Sequence, residues 1–150
     1  EPEPVQFDGA RRAGLTGWSP RTDAGEAIHE ETDGDDGRRV LRITVTGESP
    51  VIASWRVAAP LPPGRYRFEG LALGAGIEGT ADETGAGAGL RISGGQRSER
   101  LERDGEWAVL GYEFALEAAA TVELVAELRA TAGRVSFNAE SLVLVRLSEP

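Results

Sequence analysis

The sequence has 150 residues, of which 40% are hydrophobic and 27% charged, and its formal net charge is -9. A chain of this length and composition is large enough for one globular domain with a substantial core. The negative charge repels phosphate backbones, so we expect no nucleic acid partner, and no apolar run is long enough for membrane insertion. The absence of cysteine excludes disulfides and thiolate metal sites.

The chain is predicted to form a single domain with a short tail. Residues 1–4 are polar and proline-rich, which is typical of a linker end, and residues 5–150 carry the patterns of one folded unit. Because the sequence begins with Glu1 rather than Met, we expect it to be a piece of a longer protein with other domains.

The first part of the chain contains three segments with a strand pattern: Val5–Phe7, Ala27–Glu31 and Arg38–Thr46. Between them, the Gly-rich segment Asp8–Ser19 predicts a loop that holds Trp18, and Pro20–Ala24 predicts a turn. The sequence TDGDDG at Thr32–Gly37 predicts a hairpin turn. It does not fit an EF-hand loop, because Thr44 stands where the twelfth-position glutamate is needed.

A hairpin is predicted between Val51 and Leu73. Two extended segments, Val51–Ala58 and Arg65–Leu73, flank the proline-rich turn Pro60–Gly64. Proline fixes φ and removes a donor, and glycine accepts positive φ, so this turn ends one strand and begins another. In the second strand, Tyr66 and Phe68 share one face, which we expect to be buried.

Further strands are predicted in the second half of the chain, after a long loop at Gly74–Gly85: Gly87–Ser93, Trp107–Leu116, Thr121–Arg129, Val135–Phe137 and Leu142–Leu147. The composition of Ala115–Ala130 also suits a helix. We prefer strands there because Val122, Leu124 and Leu128 keep a period of two. Short strands at such regular spacing are typical of an antiparallel sandwich or jelly roll.

Several short motifs occur in a distinctive order: Phe7-Asp8-Gly9, Gly17-Trp18, Pro63-Gly64-Arg65-Tyr66-Arg67-Phe68, Trp107 leading to Glu113-Phe114, and Phe137-Asn138-Ala139-Glu140-Ser141-Leu142. In this order the motifs resemble those of the jelly-roll carbohydrate-binding modules of the CBM4/9/22 (galactose-binding-like) group. The resemblance implies an all-β fold, an antiparallel β-sandwich of the jelly-roll, galactose-binding-domain-like type. It also implies polysaccharide binding on a sheet face or at loop tips, and often a structural Ca²⁺.

The resemblance implies that the calcium ion joins an N-terminal acid to the C-terminal strand. The acid is Asp8, and Asn138 and Ala139 stand where the group commonly has two aspartates. Asn138 still offers a carbonyl oxygen, which is a ligand that Ca²⁺ accepts. We therefore predict Asp8 and Asn138 as metal ligands, with an affinity lowered by the lost charge.

Aromatic rings are the usual sugar-binding surfaces of proteins, because they cover the apolar C–H faces of sugars. Trp18 and Trp107 resemble structural anchors of the group, which leaves Trp55 as the candidate exposed ring. Alternation puts Trp55 and Arg56 on opposite faces of the strand. It favours a buried Trp55, because large aromatic side chains are mostly buried, but the exposed orientation stays open. The residues predicted to bind carbohydrate are Trp55, Arg56, Arg67, Arg91 and Glu113.

The sequence predicts a non-catalytic carbohydrate-binding module of a larger secreted or cell-surface protein. The alternative is a structural or protein-interaction β-sandwich that binds no sugar. An enzyme is disfavoured, because the single histidine, His29, has no nucleophile motif near it. The glycine clusters do not form a phosphate-binding loop, since no lysine is present and no helix is predicted after them.

Overall fold

The computed structural model of this protein describes residues 3–34, 36–79, 87–95, 100–101 and 104–148. These residues form two antiparallel sheets and one short 3₁₀ helix, Ala139–Ser141, with no α-helix. The prediction of an all-β antiparallel sandwich is therefore confirmed. Within the described ranges, no helix is long and apolar enough to cross a membrane.

The larger sheet has seven strands, and the long strand β6 (Gly64–Glu78) lies at its centre. Its strands are β1 (Arg12–Gly14), β3 (Ala27–Asp33), β4 (Arg39–Val45), β6 (Gly64–Glu78), β8 (Ala108–Leu116), β10 (Ala132–Asn138) and β11 (Val143–Ser148). They follow the order β1-β11-β6-β10-β4-β3, and β8 also pairs with β6. A single long strand thus carries three neighbours.

The smaller sheet has four strands: β2 (Ser19–Ala24), β5 (Val51–Leu61), β7 (Gly87–Ile92) and β9 (Ala120–Ala130). They follow the order β2-β5-β9-β7. β5 and β9 pair along their whole length, from Val51 opposite Ala130 to Leu61 opposite Ala120. The strand interpretation of Thr121–Arg129 is confirmed, and the helical one is wrong.

The core lies between the two sheets and is built by the period-two pattern of the strands. Tyr66 and Phe68 of β6 are fully buried, as predicted, and so is Phe137 of β10. Leu124 and Leu128 of β9 meet them from the other sheet in one apolar cluster. Each sheet therefore has one face in the core and one outer face.

Three predicted boundaries are wrong for physical reasons. The loop expected from Gly74 begins later, because β6 runs on to Glu78 and pairs there with β10; residues 80–85 lie outside the described ranges. The segment Pro20–Ala24 belongs to strand β2, whose exposed residues give no alternation because it is a solvated edge, where proline is tolerated. Val5–Phe7 is not a strand, although Phe7 stacks on Tyr66.

The hydroxyl of Tyr66 fixes the turn between β5 and β6, and this gives a first prediction. The hydroxyl donates to the carbonyl of Pro62 at 2.6 Å, and the Tyr66 ring stacks on Phe114. Tyr66→Phe is expected to lower the free energy of unfolding by about 1 kcal/mol, because a partly buried hydrogen bond is lost while the ring stays. Urea unfolding measures the change. Tyr112→Phe, which removes a hydroxyl without a hydrogen bond among the described residues, should change stability less; equal effects would contradict the assignment.

Candidate functional site

Trp55 lies in the core, so its ring offers no surface to a sugar. Its side chain is 4% exposed, and its indole N–H donates to the carbonyl of Arg42 at 3.4 Å. The edge of the ring meets His29, with the two centroids 5.4 Å apart. The buried orientation that alternation favours is the one observed, and a stacking role for Trp55 is wrong.

Arg56 and Arg91 lie together on the outer face of the smaller sheet. Both are paired in register with Val125, one from each side, so the three side chains form one row across the sheet. Each guanidinium is bound within the protein: Arg56 to Glu123 at 2.7 Å, and Arg91 to Glu127 at 3.0 Å. These two predicted sugar ligands therefore hold the sheet face together.

Glu127 is the centre of this charged face. Its side chain is 1% exposed, and at least three guanidinium groups surround its carboxylate. Arg100 lies 2.6 Å and Arg129 3.7 Å from it, in addition to Arg91. A buried charge needs such compensation, because desolvation costs several kcal/mol per ion.

Arg67 and Glu113 lie on the opposite side of the molecule, on the outer face of the larger sheet. The Arg67 guanidinium is 3.4 Å from Glu113 and 3.3 Å from Glu69. It lies over Gly111, where a Cβ would collide with it. The five residues predicted to bind carbohydrate thus occupy three separate places, and they do not form one site.

Asp8 and Asn138, the predicted calcium ligands, both cap local backbone. One Asp8 oxygen accepts from the N–H groups of Ala10 and Arg12 at 2.8 and 2.9 Å, and the Asn138 side-chain oxygen accepts from the N–H of Ser141 at 3.1 Å. No group of three or more histidine or acidic side chains suited to a metal occurs among the described residues. One side-chain oxygen of each residue is thus used by local backbone, and calcium binding at Asp8 and Asn138 stays a prediction from sequence.

A pocket of about 230 Å³ opens on the outer face of the larger sheet, and Trp107 is its aromatic wall. The ring is 38% exposed. Leu73 of β6 lies in the lining, and so do four residues with polar side chains, Asp36, Arg42, Arg134 and Ser136. An exposed ring with convergent polar groups is the arrangement that sugar recognition requires. We call this the Trp107 pocket.

Backbone contacts hold Trp107 at this place. Gly105, at a φ of 84°, turns the chain, and its N–H donates to the carbonyl of Gly74 at 2.9 Å. Asp104 forms an isolated bridge with the same Gly74. Two residues beyond Gly105, Trp107 lies directly before β8, on the outer side of the sheet. Its expected role as a buried structural anchor is therefore wrong.

The polar side of the pocket comes from neighbouring strands. Arg42 of β4 is paired in register with Ser136 of β10, and its Nε–H donates to the Ser136 hydroxyl at 3.0 Å. Arg134, two residues before Ser136 on the same strand, points to the same face. Asp36, from the turn between β3 and β4, accepts from the N–H of Arg38 at 2.9 Å.

A second groove, of about 470 Å³, lies beside Trp18, but its groups serve the fold. The Trp18 ring stacks on Phe68 with centroids 6.0 Å apart, and its N–H donates to the carbonyl of Leu15 at 3.3 Å. Arg39 of the same groove is paired with Glu31 at 3.4 Å. Trp18 is an anchor of the core, as predicted, and the Trp107 pocket is the better candidate.

No family model matches the sequence, and no curated protein matches it. Among solved structures, TmCBM61 in complex with β-1,4-galactotriose is similar, with a TM-score of 0.53 and 16% identity, over 89% of this chain and 90% of that one. The CBM22-1 xylan-binding domain from Paenibacillus barcinonensis Xyn10C has a TM-score of 0.49 and 14% identity, over 100% and 99% of the two chains. Tailspike protein 4 of bacteriophage CBA120 has a TM-score of 0.46 and 9% identity, over 88% of this chain and 18% of that one.

This chain has the jelly-roll fold of a carbohydrate-binding module. The resemblance stated from the sequence motifs is thereby confirmed at the level of the fold. In this jelly roll the motif residues Tyr66 and Phe68 build the core, while Trp107, also part of the motif series, faces outward.

The His29 ring packs against the edge of Trp55, and its burial gives a second prediction. Its Nε2–H donates to the carbonyl of Ser54 at 3.1 Å. Desolvation lowers the pKa of His29 below its ordinary 6.5, although backbone hydrogen bonds with Ser54 and Arg21 oppose the shift. Below pH 6.5 the unfolded chain therefore binds more protons than the folded one.

The contribution of His29 to stability is expected to be complete above about pH 6.5 and to be lost as the pH falls through the lowered pKa of the folded state. Urea midpoints measured between about pH 7.5 and pH 5 detect it. His29→Gln serves as the control, because it removes the titration and leaves the carboxylates. An identical pH dependence of the wild type and the variant would contradict the prediction.

Proposed function

We propose that this domain is a non-catalytic carbohydrate-binding module, that its sugar site is the Trp107 pocket, and that it targets a larger secreted or cell-surface protein to polysaccharide. The observation that carries the proposal is the exposed Trp107 ring, with polar side chains converging beside it, on a carbohydrate-binding-module fold. The ring covers the C–H face of one sugar unit, and Ser136 and the two arginines bond its hydroxyls.

The absence of a catalytic role is part of the proposal, and the described lining of the pocket supports it. Glycoside hydrolysis needs two carboxyl groups about 5–9.5 Å apart across the scissile bond. Asp36 is the carboxylate among the described lining residues, and one of its oxygens already accepts from the backbone of Arg38. Such a pocket binds a sugar and leaves its bonds unchanged.

Binding to immobilised and soluble polysaccharides tests the proposal. Affinity electrophoresis of the wild-type domain in gels that contain β-1,4-galactan, xylan or polygalacturonate is expected to retard it in at least one gel, and isothermal titration then gives the affinity. No retardation in any polymer, by a domain that is folded by circular dichroism, would contradict the function.

A protein partner is the competing occupant of this surface. Val109, on β8, is 60% exposed and lies opposite Leu71 of β6 on the same outer face as Trp107. A protein would cover this whole apolar surface, whereas a sugar needs the ring. A domain that binds no polysaccharide would favour the protein partner.

A further inference from the structure

We propose that the Trp107 pocket selects an acidic sugar, carboxylated or sulfated, whose anionic group is held by Arg42 and Arg134. The inference rests on the proposed function, which it narrows from carbohydrate in general to one class of sugar. Three observations carry it: which arginines of the sheet faces have a carboxylate partner, the strand register of Arg42 and Arg134, and the volume of the pocket.

Arg42 and Arg134 differ from the other arginines of the two outer sheet faces. Arg56, Arg67 and Arg91 each have a carboxylate within 3.4 Å. Among the described residues, no carboxylate lies within the 4.0 Å limit of an ion pair from Arg42 or Arg134. In a protein of net charge -9, two arginines of one pocket that have no described carboxylate at ion-pair distance call for an explanation.

The two guanidinium groups are close enough to act on one ligand. Arg42 is in register with Ser136, and Arg134 with Thr44, so the two arginines are diagonal neighbours on adjacent strands. Diagonal neighbours on one face have their Cα atoms about 7–8 Å apart, within reach of long side chains. Like charges at this separation disfavour the folded state, and a bound anion removes the repulsion.

The guanidinium is the side chain best suited to an anionic oxygen pair. Its planar fork donates two parallel hydrogen bonds to a carboxylate or sulfate, and these are about twice as strong as bonds to neutral groups. The Nε–H of Arg42 is already used by Ser136, which orients the group and leaves its terminal N–H groups for a ligand. The Asp36 carboxylate is offset by Arg38, whose Nε lies 3.9 Å away.

A uronic acid unit carries both features that the pocket recognises. Its ring presents an apolar C–H face to Trp107, and its carboxylate projects from the ring edge toward the arginines. The volume of about 230 Å³ is below the ~300–1,000 Å³ of pockets for drug-sized ligands, so one sugar unit is the natural occupant.

Titration with matched polymers tests the inference. Polygalacturonate is compared with its fully methyl-esterified form, which has the same backbone without the charge, with neutral β-1,4-galactan, and with a sulfated galactan. The wild-type domain is expected to bind the charged polymers at least about tenfold more tightly than the neutral ones. The relative affinities of polygalacturonate and the sulfated polymer identify the anion.

Arg42→Gln and Arg134→Gln are each expected to lower the affinity for the charged polymer about tenfold. Binding to the neutral polymers should change much less, because the glutamine amide still donates to a hydroxyl but carries no charge. Arg134 is exposed, so its variant tests the inference without disturbing the fold. Arg21→Gln, an exposed arginine on the other sheet paired with Asp23, is the matched control and should bind like the wild type.

The outcomes separate the two levels of the proposal. An affinity for polygalacturonate that depends on Trp107 but not on Arg42 or Arg134 overturns the acidic specificity and supports carbohydrate binding. Equal affinity for polygalacturonate and its methyl ester does the same. No binding to any of the four polymers overturns the function and the specificity together.

Discussion

Trp107→Ala is expected to lower polysaccharide affinity about 30-fold or more while the domain stays folded. The ring is the large apolar surface of the Trp107 pocket, and truncation of a central aromatic contact typically costs 2 kcal/mol or more of binding. Because the side chain is 38% exposed, its removal costs at most about 2 kcal/mol of stability, well below a typical free energy of unfolding. Isothermal titration and urea unfolding measure the two effects separately.

Two further variants show whether stacking is the cause. Trp107→Phe keeps a flat ring and should retain most of the affinity. Val109→Ala removes an exposed apolar side chain from the same face, outside the lining of the pocket, and should bind like the wild type. Trp107→Ala binding as tightly as the wild type would move the sugar site elsewhere on the molecule.

Glu127→Gln is expected to destabilise the domain by about 3–5 kcal/mol, although it changes a single oxygen. The substitution leaves the guanidinium groups of Arg91 and Arg100, which lie 3.0 and 2.6 Å from the carboxylate, without their counter-charge. Removing one partner of a buried ion pair has a cost of this size, because the remaining charge is left uncompensated. At about 2–4 °C for each kcal/mol, the melting temperature should fall by roughly 10 °C.

Glu123→Gln is the matched control for this prediction. Glu123 lies on the same strand and pairs with Arg56 at 2.7 Å, but its side chain is 41% exposed. Because Glu123 is exposed and Asp23 still lies 3.5 Å from the Arg56 guanidinium, the substitution should cost about 1 kcal/mol or less, and the variant should unfold nearly like the wild type. A similar, small effect of both substitutions would show that burial does not strengthen the Glu127 cluster.

The fold could be predicted from the sequence because most of its signals are local. The Pro-Pro-Gly turn before Tyr66 and Phe68 predicts a hairpin by φ restriction and period two, and the structure has it. The period of two in β9 outweighs a helix-forming composition, because the pairing with β5 buries one whole face of the strand. Edge strand β2 shows no alternation of apolar and polar residues in the sequence, because both of its faces are exposed to solvent.

The candidate site could not be predicted, because it is assembled by contacts between distant residues. Arg42 and Ser136, which form one side of the Trp107 pocket, are 94 residues apart along the chain. The outward position of Trp107 depends on the bond from Gly105 to Gly74, which no periodicity reveals. Arg56 was predicted to bind carbohydrate, yet its side chain is only 10% exposed and its charge is bound by Glu123 of another strand.

The pairing of the strands also dictates when this protein can fold. β9 lies between β5 and β7, and β11 lies between β1 and β6, so each sheet is closed by a strand from the C-terminal part of the chain. Pairings between such distant segments are slow to form, because the entropy of closing long loops is lost before the contacts reward it. During synthesis the early strands must therefore wait for their partners, and nearly the whole domain has to emerge before either sheet is complete.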